Sequence, residues 1–262
     1  VNTLKDVQSE KDWRNVYLHR VGIRNLDYPV TVMDRANGYQ DTVAKISMYV
    51  DLPVEYRGTH MSRFVEVLNR YRLGIDPQII KDMLEEMRII LRAEIATVEI
   101  EFPYFILKNA PISHQKSFLK YLCRFEAHKT ADTYDFVTSV KIPVTTLCPC
   151  SKEISDRGAH NQRANIWIHV RYKKLVWLEE LIDIAENSAS SPVYSLLKRP
   201  DEKFLTEFAY DHPRFVEDVA REVALKLNHD ERILWYKVEV ESFESIHDHN
   251  AYACVMKNMG GV

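Results

Sequence analysis

Glycine is scarce. The chain of 262 residues carries seven: Gly22, Gly38, Gly58, Gly74, Gly158, Gly260 and Gly261. A Rossmann fingerprint or a Walker A loop needs closely spaced glycines so that backbone can approach phosphate. No spacing here supports either, so any nucleotide would have to be held without a glycine-rich cradle. Cysteine is also sparse. Cys123, Cys148, Cys150 and Cys254 are too few for a disulfide scaffold at this length. No uncharged apolar run approaches the about 18 residues of a bilayer-spanning helix, so no membrane partner is expected. The net charge of −3 offers no bulk attraction for nucleic acid. The first residues, VNTLKDVQSEKDW, are charged and lack an apolar signal core, so the expected compartment is cytoplasmic.

Hydrophobic residues are 46% and charged residues 28%, which places the chain among globular proteins with volume for a real core. Residues 1–24 read as a polar, mobile segment. Alternation of Ala44, Ile46, Met48 and Val50 with polar neighbours predicts the first clear strand, 43–50. Met61, Phe64, Leu68 and Tyr71 share a helix face that Gly74 ends. Asp76-Pro77 predicts an N-cap and first helical residue, opening a second helix through Leu91. Strands are predicted over 98–102 and 118–126.

The second half repeats this order. Strands are expected over 136–147, with Pro143 marking an edge or bulge, and over 164–170. Helices follow from 176 to 187 and from about Pro213, and then strands at 238–241 and 251–256. Each half reads strand, strand, helix, helix, strand, strand. That order predicts an α+β fold of antiparallel sheets with helix pairs on one face. The halves divide as 25–130 and 131–262.

Four groups of residues carry chemistry. The densest runs from Thr145 to Arg163 and includes Cys148-Pro-Cys150-Ser-Lys152 and His160. In extended backbone the two thiols of a Cys-x-Cys pair point to opposite faces, so one would face a pocket and the other support it. Cys148 and His160 are twelve residues apart across a loop, a separation that can bring sulfur and nitrogen to one ion. Two small buried residues and a surface histidine fit the same spacing. The second group, Glu244, His247 and His249, follows an apolar strand, where a turn can gather three ionisable groups. A solvated polar turn is the alternative. His169 and His229 read as a strand's outer face and a helix end.

The third group, Thr59, His60, Ser62 and Arg63, opens the first helix, where free N–H groups and the dipole suit an anion. Plain capping by Thr59 is the alternative. Glu217 begins the last helix. A glutamate there favours the dipole, and it can also accept two N–H groups from a purine edge. Glu202, in the Arg199-Pro-Asp-Glu202-Lys203 connection, reads as surface charge.

Taken jointly, the runs 148–152, 158–163, 58–63 and 244–249 resemble the type IB GTP cyclohydrolase I family, metal-dependent enzymes of the tunnelling-fold superfamily. The resemblance extends from about residue 25 onward. It implies two tandem ββααββ modules whose barrel is completed by oligomerisation, most simply as a homotetramer with sites at subunit interfaces. It implies hydrolytic opening of GTP at guanine C8 by a metal-activated water, giving formate and 7,8-dihydroneopterin triphosphate, the entry to folate-type pterins. Cys148, His160 and Glu202 are the implied ligands of one divalent metal per subunit, zinc or manganese, with iron admitted. Cys148, Glu244, His247 and His249 are the implied catalytic set. Glu217 is the implied guanine anchor, and Thr59, His60, Ser62, Arg63 and Lys152 the implied triphosphate end. Two other activities fit the same residues. One is a metal-free nitrile reductase of the same superfamily with a thiol nucleophile. The other is a non-enzymatic oligomer that binds a pterin or purine.

Overall fold

The computed structural model describes residues 7, 8 and 10–257. Gly260, Gly261 and residues 1–6 and 9 of the N-terminal segment read above as mobile lie outside it. The chain forms β1 (Leu18–Asp34), β2 (Gly38–Leu52), α1 (Met61–Tyr71), α2 (Pro77–Leu91), β3 (Ala96–Asn109) and β4 (Lys116–Lys129). It continues with β5 (Tyr134–Leu147), α3 (Pro149–Ile154), β6 (Asn161–Tyr172), α4 (Leu178–Glu186), β7 (Ser191–Pro192), α5 (Arg199–Asp211), α6 (Val216–His229), β8 (Ile233–Ser242) and β9 (Ala251–Met256). The strands hydrogen-bond in the order β1-β2-β3-β4-β5-β6-β8-β9, with β7 pairing β5. This is the α+β architecture expected. The ββααββ order is intact in the first half. In the second it is extended by α3 between the first two strands and by β7 and α5 between the helices.

By packing, the chain divides into two units. Residues 1–103 with 124–137 form one, and residues 104–123 with 138–262 form the other. In the first unit the alternating residues Ala44, Ile46, Met48 and Val50 of β2 are buried, as are Phe64, Val67 and Leu68 of α1 and Ile80, Met83, Leu84 and Met87 of α2. Each such side chain taken from water contributes about 1.5–3 kcal/mol. Asp76 caps α2 as expected, its Oδ1 accepting from Ile79 N at 2.7 Å.

β1 is the strand that periodicity misses. Its register against β2 shifts between Leu18 and Val21 and again between Ile23 and Leu26. Asn25 stands at φ 58°, and its N–H donates to Ser47 Oγ at 3.1 Å. These irregularities break the two-residue alternation over the first half of the strand, and burial alternates only from Leu26 to Asp34. Gly22 lies between these shifts, opposite Tyr49. A Cβ there would sit 1.9 Å from Met48 O. Gly22→Ala is therefore expected to cost about 1–3 kcal/mol by forcing β1 from β2, lowering the melting temperature by roughly 3–10 °C. An unchanged melting curve would show that β1 moves freely.

In the second unit, α6 buries Val216, Val219, Ala220, Val223, Ala224 and Leu227 and packs against β8 and β9. Fully buried Val140, Ile142, Ile166, Ile168, Val238 and Val240 continue the core on β5, β6 and β8. Cys123 is wholly buried, and burial pushes its thiol pKa up, so it is a packing residue. Pro143 does not mark a bulge against β6: it pairs with Asn165 in uninterrupted register.

Two helices of this unit depart from the sequence reading. α3 turns Pro149 and Cys150 helical, so the extended geometry expected for the Cys-x-Cys pair holds only at Cys148, the N-cap. α5 occupies what reads as a connection. Only Asp201 and Ala209 of its residues are buried, so it has no apolar stripe for periodicity to find.

Candidate active site

The ladder of β5, β6 and β8 builds the site at one end. β5 and β6 are antiparallel, with Leu147 opposite Asn161, so the residues just beyond their paired ends must meet. Cys148 N donates to His160 O at 3.1 Å. The twelve-residue separation in sequence is thus the loop of a hairpin. β8 lies on the other side of β6, with Ser242 opposite Ala164. Phe243 N then donates to Arg163 O at 2.9 Å, which carries Glu244 alongside Gln162.

A cavity of about 300 Å³ results. Its lining includes Cys148, His160, Gln162, Arg214, Glu217, Glu244, His247 and His249. Six residues singled out in the sequence are therefore brought together. His160 and Glu244 side chains are only 14% and 13% exposed. His160 Nδ1 lies 2.9 Å from Gln162 Oε1 and 3.9 Å from Glu244 Oε2. Gln162 Nε2 donates to Glu244 Oε1 at 3.4 Å and to Thr146 Oγ1 at 3.3 Å. A carboxylate only accepts, so this bond orients the amide and leaves Oε1 to accept from His160 Nδ1–H. The Nε2 lone pair of His160 is then available to an electrophile. Cys148 Sγ accepts from Ser151 N at 3.4 Å. His247 and His249 lie in the β8–β9 loop rather than on a strand, but their rings stack at 5.1 Å with an 18° tilt. Glu217 is exposed in the first turn of α6.

Gln162 was not assigned a role from sequence. The signal lay in its position: two residues after His160 at the start of a strand, it shares that residue's face. Cys150 is exposed and not part of the lining.

Glu202 is not in this cavity. It is exposed on the first turn of α5 and lines an adjoining one with Thr145, Asn161 and Arg163. The start of α5 is anchored by its neighbour. Asp201 Oδ1 accepts from Ile112 N and Ser113 N, both at 2.8 Å, and Oδ2 from Ser113 Oγ at 2.6 Å and Lys198 N at 2.8 Å. Burial pulls the Asp201 pKa up, but these donors outweigh it and hold the carboxyl below the usual carboxylate range. Among the described residues, no three His, Cys, Asp or Glu side chains stand close enough together to hold a metal. Cys148 and His160 do supply a soft sulfur and an oriented imidazole to one cavity, and that donor chemistry fits a divalent transition metal.

Lys152 is committed elsewhere. Its Nζ donates to Tyr210 O and lies 4.2 Å from the centre of the Tyr210 ring, tying α3 to α5.

The helix-start group belongs to the first unit. Thr59, His60 and Arg63 line a cavity of about 170 Å³ with Gly58 and Arg92, and among the described residues no carboxylate lines it. His60, not Thr59, is the N-cap of α1; it makes no side-chain capping bond, and the first turn holds no acidic residue. Arg63 N donates to His60 O at 3.2 Å, and a helix start without an acidic residue still favours an anion through its dipole. Arg63 Nη1 donates to Ile90 O at 2.9 Å. Ser62 is exposed on the first turn of α1, outside the cavity lining.

Known proteins resemble this chain at two levels. By fold, it matches the uricase of Arthrobacter globiformis at a TM-score of 0.54 with 6% identity, covering 94% of this chain and 95% of that one. The urate oxidase of Bacillus sp. TB-90 matches at 0.52 with 10% identity, covering 92% and 99%. At such identities the likeness establishes the fold alone, the tunnelling fold. By sequence, the GTP cyclohydrolase FolE2 of Pseudothermotoga lettingae is 73% identical over 255 residues, 97% of this chain and 99% of that protein. The GTP cyclohydrolase FolE2 of Fervidobacterium nodosum is 58% identical over 252 residues, covering 96% and 97%. The family model described as type I GTP cyclohydrolase folE2 matches residues 4–253, and with nearly the whole chain covered at both levels, the chain belongs to that family.

Proposed function

We propose that this protein is a GTP cyclohydrolase I of the type IB class, converting GTP to 7,8-dihydroneopterin triphosphate and formate in the cytoplasm, at the head of folate-type pterin synthesis. The observation that carries the reading is one cavity lined by Cys148, His160, Glu217, Glu244, His247 and His249, in a chain 73% identical to a GTP cyclohydrolase FolE2.

Cys148 and His160 hold one divalent metal per subunit, zinc, manganese or iron. Glu202 is the third ligand. Its support is that its cavity includes Asn161, the neighbour of His160 in the chain, and that Asp201 fixes the helix turn it stands on. Bound there, the cation supplies Lewis-acid activation of the water that attacks C8. Glu217 accepts N1–H and N2–H of guanine and so orients C8. Glu244, His247 and His249 take the proton from the attacking water and return one to the ring nitrogen released from C8. Thr59, His60, Ser62 and Arg63 hold the triphosphate, with Lys152 as a further cation once it leaves Tyr210 O. The active assembly is a homotetramer with its sites at subunit interfaces.

The test is direct. Protein incubated with GTP and each of zinc, manganese and iron(II) should release formate and give a fluorescent pterin after oxidation. Neither product under any metal defeats the reading.

The Gln162 bond to His160 adds a smaller expectation. Gln162→Leu should weaken metal affinity about 10- to 100-fold by freeing the imidazole to rotate. Competition against a chromogenic chelator measures it. Unaltered affinity would mean that Glu244 orients His160 alone.

A further inference from the structure

The cavity around Cys148, His160 and Glu217 has a single lining side chain of permanent positive charge, Arg214. Its backbone is fixed beside the site, since Arg214 N donates to Leu147 O at 3.0 Å, one residue before Cys148. Its Nε is buried and meets no hydrogen-bond partner. Buried donors are nearly always satisfied, and leaving a charged one without an acceptor is costly. An orphaned guanidinium N–H in a ligand cavity marks where a ligand brings an acceptor.

Which acceptor follows from the neighbours. Glu217 stands three residues further on and lines the same cavity. On the cyclohydrolase reading, which this inference rests on, Glu217 accepts N1–H and N2–H of guanine. The next atom on that edge is O6, an acceptor that a carboxylate can only repel. The cavity's other hydrogen-bonding groups are largely committed. Gln162 Nε2 donates to Thr146 and Glu244. The Thr146 and Ser242 hydroxyls bond each other at 3.0 Å. Tyr252 OH donates to Glu239 at 2.7 Å. Arg214 is the donor left over, and arginine is well suited to guanine O6.

We propose that Arg214 donates to guanine O6, so that Arg214 and Glu217 read the acceptor and donor halves of one base edge. An adenine nucleotide is rejected by both residues: its amino group meets a donor and its unprotonated N1 meets a carboxylate.

The test compares GTP with 6-thio-GTP, which keeps N1–H and N2–H but presents a weaker acceptor. The metal-loaded wild type should prefer GTP in kcat/KM by about tenfold. In Arg214→Met that preference should fall to near one, with KM for GTP raised about 10- to 100-fold and kcat changed less. Arg214→Lys, which keeps one donor, should fall between. Binding without turnover gives a second readout. 7-Deaza-GTP retains O6 but lacks the N7 that makes C8 hydrolysable, and its Kd should rise by the same factor as KM. A folded Arg214→Met with wild-type KM, Kd and GTP preference overturns the assignment. If that variant does not fold, wild-type values in Arg214→Lys overturn it equally. Failure of the wild type itself to release formate from GTP would defeat the cyclohydrolase reading rather than the role of Arg214.

Discussion

Cys148→Ala is expected to abolish GTP turnover and tight metal binding together. On the proposed function the thiol is the soft donor to the metal, and it shares the cavity with an imidazole already oriented by Gln162. Lewis-acid activation accounts for several kcal/mol of barrier lowering, and each 1.36 kcal/mol is tenfold in rate, so kcat/KM should drop by about 10³-fold or more. The fold should survive. Cys148 is only partly buried, and its structural contact is one weak N-cap bond from Ser151. Elemental analysis of the purified variant, with formate release and a thermal melt, separates the outcomes. A metal-free variant that melts normally and releases no formate supports the assignment. Retained turnover would remove Cys148 from the ligand set. The nitrile reductase alternative also loses activity on losing the thiol, but it predicts no change in metal content.

Glu217→Gln should have the second-largest effect, and a different signature. The variant keeps size and polarity but, on the proposed function, replaces one accepting oxygen with a donor that faces guanine N–H groups. Hydrogen bonds to a charged group contribute about 1.5–3 kcal/mol each, and two are at stake, so kcat/KM for GTP should fall about 10²- to 10⁴-fold. Metal content should be unchanged, since Glu217 enters from α6 while the thiol and imidazole enter from the β5–β6 hairpin. Inosine triphosphate, which lacks the 2-amino group, should lose less on this substitution than GTP does. Equal losses for both nucleotides would show that Glu217 does not touch N2–H. Glu217 sits exposed in the first turn of α6, so little stability change is expected.

Much of the fold could be read from local signals, because many of its elements obey one period throughout. β3 and most of β6 alternate cleanly, and Asp76-Pro77 announces α2. The exceptions have physical causes. β1 hides its strand character behind two register shifts and a left-handed asparagine. α5 lacks an apolar stripe. α3 depends on Pro149 serving as a helix start rather than as a spacer between two thiols.

The site was legible in its residue types but only partly in its grouping. Cys148 and His160 meet because a hairpin closes, and Glu244 joins them because β8 pairs with β6. Neither pairing is visible in local periodicity. Gln162 and Arg214 escaped because their significance lies in what they face. Gln162 matters for two partners 2 and 82 residues away in sequence, and Arg214 for an acceptor it lacks. Glu202, assigned to the metal by resemblance, lines the adjoining cavity instead.

The sparse burial of α5 has a consequence for timescale. The helix is fastened at its first turn by Asp201 and near its end by the Lys152 bond to Tyr210 O, and it buries only Ala209 besides, while Phe204 and Tyr210 remain 38% exposed. α6, by contrast, is sewn into the core along its whole length. Local opening is set by the apolar contact a segment must give up, so α5 opens and recloses many times for each excursion of α6. Its amides will exchange with solvent before those of α6. Glu202, carried on the turn that Asp201 fastens, sits at the end of the helix that opens last.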